Sequence, residues 1–188
     1  AAAGVPTEFS VEALAEAAAI DKAGIHEKEK AQRLDLRDRI IFTIDSADTK
    51  DIDDAISLTR TETGYELGVH IADVSHYVRP GSALDLEAWE RGTSVYFADQ
   101  VVPMLPRELS NGICSLNPRV DRLALSCVMT LTPEGEVVDH TIAKSVIRTT
   151  ERMTYEDCNA LLAHSDPALA ERYARILPML EDMAALSR

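Results

Sequence analysis

The segment RLALSCVMTLTPEGEVVDHTIAKSVI, residues 122–147, constrains the fold more than any other stretch of the chain. Leu123, Leu125, Cys127, Met129 and Leu131 recur at every second position, which is the period of a strand with one apolar face. Pro133-Glu134-Gly135-Glu136 then supplies a turn, so the segment reads as an antiparallel hairpin with Cys127 in the core. Upstream, IIFTID (40–45), DAISLTR (54–60) and YELGVHIADV (65–74) have the same β texture, and TETG turns between the last two.

Helical patterns flank these strands. Residues 1–35 are rich in Ala and Glu and read as a helical lead-in or linker, with Ser10 a candidate N-cap for VEALAEAAAI and Gly24 a break. Ser82 is placed to cap ALDLEAWERG, which ends at Gly92. After residue 153 the pattern is helical again, with Thr154 or Asp157 near its start, and Pro178 should kink or divide DPALAERYARILPMLEDMAALSR. The expected fold class is α+β, a mixed or antiparallel sheet with flanking helices built from residues 36–188. Between the second helix and the hairpin, residues 93–118 form a Pro-rich loop too long to be idle.

Composition narrows the function. The 188 residues carry 32 acidic against 19 basic side chains, a net charge of −13, so no global basic field attracts a polyanion. That disfavours simple nucleic-acid binding, but not an enzyme that meets nucleic acid through metal ions or through basic domains elsewhere. No apolar run approaches the roughly 20 residues that span a bilayer. Cys114, Cys127 and Cys158 are odd in number and widely spaced, which argues against a disulfide framework and a zinc site and makes a reducing cytoplasm the expected setting.

Against this background FTIDSADTKDIDDAISLT, residues 42–59, stands out: Asp45, Asp48, Asp51, Asp53 and Asp54 fall within ten positions between two apolar strands. If the strands pair as neighbours, Asp45 and Asp54 face each other at the loop mouth with Cβ atoms about 4.5–5.5 Å apart. Asp51 and Asp53, two apart, point to one side. Such carboxylates repel by roughly 4 kcal/mol per pair at ~4 Å and an effective dielectric near 20. Protonation, pairing with Lys50, or a hard divalent cation can compensate, and an all-oxygen donor set favours Mg²⁺ or Mn²⁺. A solvated acidic turn remains the plain alternative. An EF-hand fits poorly, because no Gly follows the acidic positions and no Glu closes a twelve-residue loop.

Five segments make a family pattern: LDLRD, the aspartate segment, VHIADVSHYVRPGSALDLEAWERGTSVYF, VVPMLPRELSNGICSLNPRVDRLALSCVMTL and RMTYED. Together, over residues 34–158, they resemble the first half of the RNB catalytic domain of the ribonuclease II/ribonuclease R family, with a closer fit to the bacterial ribonuclease R branch. The resemblance implies a processive 3′-to-5′ exoribonuclease that uses Mg²⁺ or Mn²⁺ and two-metal-assisted hydrolysis to release nucleoside 5′-monophosphates from the 3′ end of single-stranded RNA. It places the family's acidic positions on Asp45, Asp51, Asp53 and Asp54. Asp45 and Asp54 resemble metal ligands, Asp51 and Asp53 catalytic carboxylates that also touch metal, and Asp48 is outside the set. Tyr96 matches the aromatic that packs on the terminal nucleotides. The resemblance also implies a truncated catalytic domain, its remainder and the OB-fold RNA-binding domains lying outside these residues. A non-catalytic RNA-binding or scaffold protein, or a Ca²⁺-stabilised structural domain, are the alternatives.

Other residues invite function more weakly. His70, Asp73, Ser75 and His76 suggest a Ser-His-Asp hydrolase, but without G-x-S-x-G they read better as a strand histidine and a turn. Met104 reads as packing between prolines. Arg107, Arg119 and Arg122 could meet phosphates or form surface ion pairs.

Overall fold

The computed structural model describes residues 6–97 and 100–187. Three short or medium elements open the chain: helices α1 (Val11–Ala23) and α2 (Glu27–Ala31), then strand β1 (Leu34–Asp35). Strands β2 (Phe42–Asp45), β3 (Asp54–Thr61) and β4 (Gly64–Ala72) follow, then helices α3 (Val74–Tyr77) and α4 (Ala83–Arg91). The long loop carries a small ribbon, β5 (Val95–Tyr96) with β6 (Val101–Val102), and a wide helical turn at Glu108–Ile113. The hairpin β7 (Asp121–Leu131) and β8 (Val137–Arg148), strand β9 (Glu151–Thr154) and helices α5 (Tyr155–Leu162), α6 (Pro167–Arg172) and α7 (Leu177–Leu186) complete it.

The predicted caps are in place. Ser10 Oγ accepts from Ala13 N–H, Ser82 Oγ from Asp85 N–H and Thr154 Oγ1 from Asp157 N–H. Pro178 sits in the first turn of α7, so the proline-containing stretch divides into two helices instead of bending as one. The expected α+β class holds: seven strands form one mixed sheet in the order β1-β8-β7-β4-β3-β2-β9. Its interior pairs are antiparallel, and only the outermost pairs, β1 with β8 and β2 with β9, are parallel.

One sheet face and its surroundings hold two apolar clusters. Ala13 and Ala17 of α1 pack with Tyr77, Leu84, Leu109 and Leu123. Beside them Leu36, Ile41, Ile52, Ala55, Leu116 and Ile147 form a second cluster under the aspartate loop. The third cluster lies where α5, α6 and α7 cover β2 and β3, around Phe42, Met153, Leu161, Ile176 and Leu180.

The alternating row in β7 corrects the sequence-based expectation. Leu123 and Leu131 are buried at its ends, but Leu125 is 46% exposed and Cys127 only partly buried, while the intervening Ala124 and Ser126 are fully buried. Cross-strand rows set Leu125 beside Ile71, and Cys127 between Val69 and Ile142, so the larger apolar side chains share the more exposed face of β4, β7 and β8. Small side chains take the inner face because a histidine occupies its centre.

That histidine, His70, is fully buried and hydrogen-bonded on both ring nitrogens. Nε2 lies 3.1 Å from Ser57 Oγ and Nδ1 2.7 Å from Ser126 Oγ, which is itself 2.6 Å from Ser145 Oγ. Ser145 donates to Ala124 O, so Ser126 donates to Ser145 and the proton on His70 is assigned to Nδ1. Ser57 then donates to Nε2. The polar seam crosses β3, β4, β7 and β8. Gly68 makes room for it: a Cβ there would stand 2.4 Å from Ser57 Oγ and 2.7 Å from His70 Nε2.

Candidate active site

The acidic loop, residues 46–53, joins β2 to β3 and is held by three kinds of contact. Ile52 is fully buried in the cluster beneath it, so the residues on either side, Asp51 and Asp53, are turned outward. Ser115, also fully buried, accepts from Ile52 N–H at 3.1 Å and donates to Lys50 O at 2.8 Å. Leu116 N–H donates to Ile52 O and Ala72 N–H to Asp53 O, which ties the end of the loop to the sheet. On the opposite flank Arg152 Nη2 donates to Ser46 O, Ala47 O and Thr49 O at 3.2, 2.8 and 2.5 Å. A loop of polar residues is thereby fixed, with the carbonyls of Ser46, Ala47, Thr49, Lys50, Ile52 and Asp53 all paired.

Strand register revises one predicted geometry. Phe42 lies opposite Ile56, so counting two residues toward the loop sets Ile44, not Asp45, level with Asp54. Asp45 and Asp54 are nonetheless electrostatic neighbours. The Asp45 carboxyl is raised above the usual carboxylate range, first by burial and then by the Asp54 charge, against the opposing pull of Arg152. Asp53 is raised too, first by desolvation and then by Asp51, Asp54 and Asp45. The four carboxylates therefore form one repelling group. Asp54, at the start of β3, pairs with Ile71 and so stands at the rim of the open apolar face.

Two observations bear on whether a cation fits. Asp45 Oδ2 is buried without a hydrogen-bond partner, and the charge of Arg152 only partly offsets the cost of burying it. The group is all oxygen, the donor type that Mg²⁺ and Mn²⁺ prefer. Both favour a hard cation. The ligand set is not closed, however: among the described residues no three His, Cys, Asp or Glu side chains converge as a ready-made metal group. Asp51 is engaged elsewhere, since Tyr96 Oη donates to its Oδ2 at 2.7 Å.

Tyr96 lies on β5, 65% exposed, with Phe97 next to it at 41%. The hydroxyl pKa is raised, first by the bond to Asp51. Both rings, with Lys50, Asp51, Arg107 and Arg152, line an open hollow of about 790 Å³ beside the acidic loop. The sequence did not reveal the Tyr96–Asp51 bond, which spans 45 residues, nor the roles of Ser115 and Arg152. Arg152 carried one signal, its place in RMTYED.

The remaining candidates are structural. His70 lies inside the serine seam, while Asp73 pairs with Arg33 at 2.7 Å and accepts from Ser75 at 2.9 Å, so no nucleophile-base-acid array forms. Arg122 donates to the carbonyls of Ser115, Gly112 and Asp121, and Arg119 pairs with Glu151. Of the three arginines in this region, only Arg107 lines the hollow.

Comparison with known proteins gives the family. The sequence profile of the RNB domain matches residues 33–188. The chain belongs to the RNB domain family. Ribonuclease R 1 of Lactococcus lactis subsp. lactis is 55% identical over 183 residues, covering 97% of this chain and 22% of that protein. Ribonuclease R of Thermotoga maritima is 52% identical over 169 residues, 89% of this chain and 23% of that protein. The chain thus spans about a quarter of the length of these RNB relatives. Among solved structures, Mycoplasma genitalium RNase R in complex with double-stranded RNA superposes with a TM-score of 0.82 at 32% identity, over 86% of this chain and 29% of that one. Yeast Ssd1, a pseudonuclease, shares the fold at 24% identity and a TM-score of 0.68 over 76% of this chain and 18% of its own. No helix among the described residues is long and apolar enough to cross a membrane.

Proposed function

We propose that this chain carries the metal-binding, hydrolytic side of a 3′-to-5′ exoribonuclease of the ribonuclease R type, acting on single-stranded RNA and releasing nucleoside 5′-monophosphates. The observation that carries the reading is the fixed acidic loop: four mutually repelling carboxylates, one with a buried oxygen that lacks a partner. Asp45, Asp51, Asp53 and Asp54 would hold Mg²⁺ or Mn²⁺, one ion or two. Bound there, the metal supplies charge stabilisation at the scissile phosphate and a water of lowered pKa.

The chain's own groups do the rest. Asp53, on the outward side of the loop, is placed to orient the attacking water. Tyr96, exposed beside the loop, offers a face on which a terminal base can stack, worth about 1–3 kcal/mol. Its hydroxyl also positions Asp51, so ring and hydroxyl have separate tasks. Arg107 and Lys50 give the hollow a local positive contribution that the net charge of −13 conceals. The relatives are several-fold longer, and we place the basic surfaces that grip RNA, OB-fold domains included, in such additional polypeptide. A reducing cytoplasm suits three free cysteines, two of them buried.

Because the pseudonuclease fold is the same, fold alone does not decide for catalysis. The test is to incubate the natural full-length protein with 5′-labelled single-stranded RNA and Mg²⁺. Stepwise shortening from the 3′ end with release of 5′-monophosphates is expected, and Asp53→Asn should abolish it while RNA still binds. Internal cuts would refute the exonuclease reading, and RNA binding with no metal-dependent cleavage would favour an inactive RNA-binding protein.

A further inference from the structure

We propose that Arg152 is a positioning residue for the acidic loop, an inference that rests on reading the aspartates as a metal site. Arg152 lies on β9, which runs parallel to β2 with Arg152 paired to Thr43 and Thr154 to Asp45. Paired residues share a face, so the guanidinium projects on the same side as Asp45 toward the loop. There one nitrogen gathers three carbonyls, those of Ser46, Ala47 and Thr49. Among the described residues these carbonyls are its hydrogen-bond partners. Surface arginines ordinarily seek carboxylates, and this one acts on Asp45 and shares the hollow with Asp48 and Asp51. Its hydrogen bonds nevertheless go to the backbone.

The consequence is mechanical and electrostatic together. Carbonyls that would diverge in a free turn are drawn to one point, which fixes the path of residues 46–49 and hence where Asp51 emerges before the Ile52 plug and Asp53 and Asp54 after it. A cation held there also offsets part of the repulsion among the carboxylates before any metal arrives. Ser115 secures the other flank, so the loop is held from two sides. The competing role is direct: Arg152 also lines the hollow beside Tyr96 and could bind an RNA phosphate.

All three contacts come from a single nitrogen, so a lysine, with three donors on one nitrogen, should replace the arginine well, whereas a bidentate phosphate clamp would lose its geometry. The experiment compares the wild-type chain with Arg152→Lys and Arg152→Met, an uncharged residue without donors. Amide hydrogen exchange across residues 46–53 is measured without metal, and Mn²⁺ binding is followed by electron paramagnetic resonance. Met should speed exchange at Thr49, whose N–H donates to Ser46 O, and weaken Mn²⁺ binding, each by about tenfold or more, with Lys recovering most of both. Unchanged exchange in Arg152→Met overturns the proposal. So does faster exchange with unaltered Mn²⁺ affinity, which would leave a purely structural arginine. A wild-type chain that binds no Mn²⁺ refutes the metal reading itself, and the exchange data then still decide whether Arg152 fixes the loop.

Discussion

Acid should unfold this protein through His70. The ring is fully buried between Ser57 and Ser126, and burial, with Arg39 nearby, lowers its pKa from 6.5 to about 4. Protonation would also put a donor on Nε2, leaving the Ser57 hydroxyl to find another acceptor in a dry interior. The unfolded chain therefore binds this proton more tightly than the folded one. Stability is fully present above about pH 6.5 and is lost as pH falls toward 4, by about 3 kcal/mol at the limit. Urea titrations between pH 7.5 and 4 would measure it. Far-UV circular dichroism is the suitable probe, because Trp89 is 88% exposed and its fluorescence would report little of the core. His70→Gln, polar but without a titrating ring, gives the reference. Other groups titrate in both proteins and cancel in the difference. Wild type should lose about 3 kcal/mol more than the variant over this range. Parallel pH profiles, or a ring that titrates near 6.5 by NMR, would refute the reasoning.

Two further variants test the same structure. Gly68→Ala forces a Cβ against Ser57 and His70 and should cost about 1–3 kcal/mol in a denaturant melt, although the position is a strand where alanine is otherwise acceptable. Asp45→Asn should raise the melting temperature of the metal-free chain at neutral pH, because the folded carboxyl is raised first by burial and then by Asp54. Stability tied to its neutral form is present at low pH and lost as pH rises through the raised value, so the gain should shrink on acidification. The same variant should forgo any stabilisation by Mg²⁺, which for wild type would be about 2.7 kcal/mol at 100 times Kd.

Local chemistry was legible in the sequence, and long-range geometry was not. The caps at Ser10, Ser82 and Thr154 depend on bonds three residues long, and the hairpin on a period of two with an intervening turn. The aspartates announced themselves by density. In contrast, which side of β7 is buried depends on what lies against it. There the protein buries Ala124 and Ser126 around His70 and leaves Leu125 and Ile142 outward, a choice that hydrophobicity along one strand cannot express. The parallel pairs β1–β8 and β2–β9 join segments that share no turn. Ser115, Arg152 and the Tyr96 hydroxyl act on the loop across 45 to 106 positions, and only assembled strands bring them there.

The pairing of β2 with β9 also sets the order in which the site can come into being. The aspartates lie early in the chain, and β3 and β4 can join β2 by local hairpins as soon as they leave the ribosome. Arg152 reaches the loop from 103 to 106 residues further on, so its three bonds form only after the whole hairpin β7–β8 has emerged and β9 has docked. Closing so long a connection is slow compared with forming neighbouring turns. A nascent chain will therefore expose a loose cluster of carboxylates before it possesses a shaped one, and maturation of the site becomes a late step of folding.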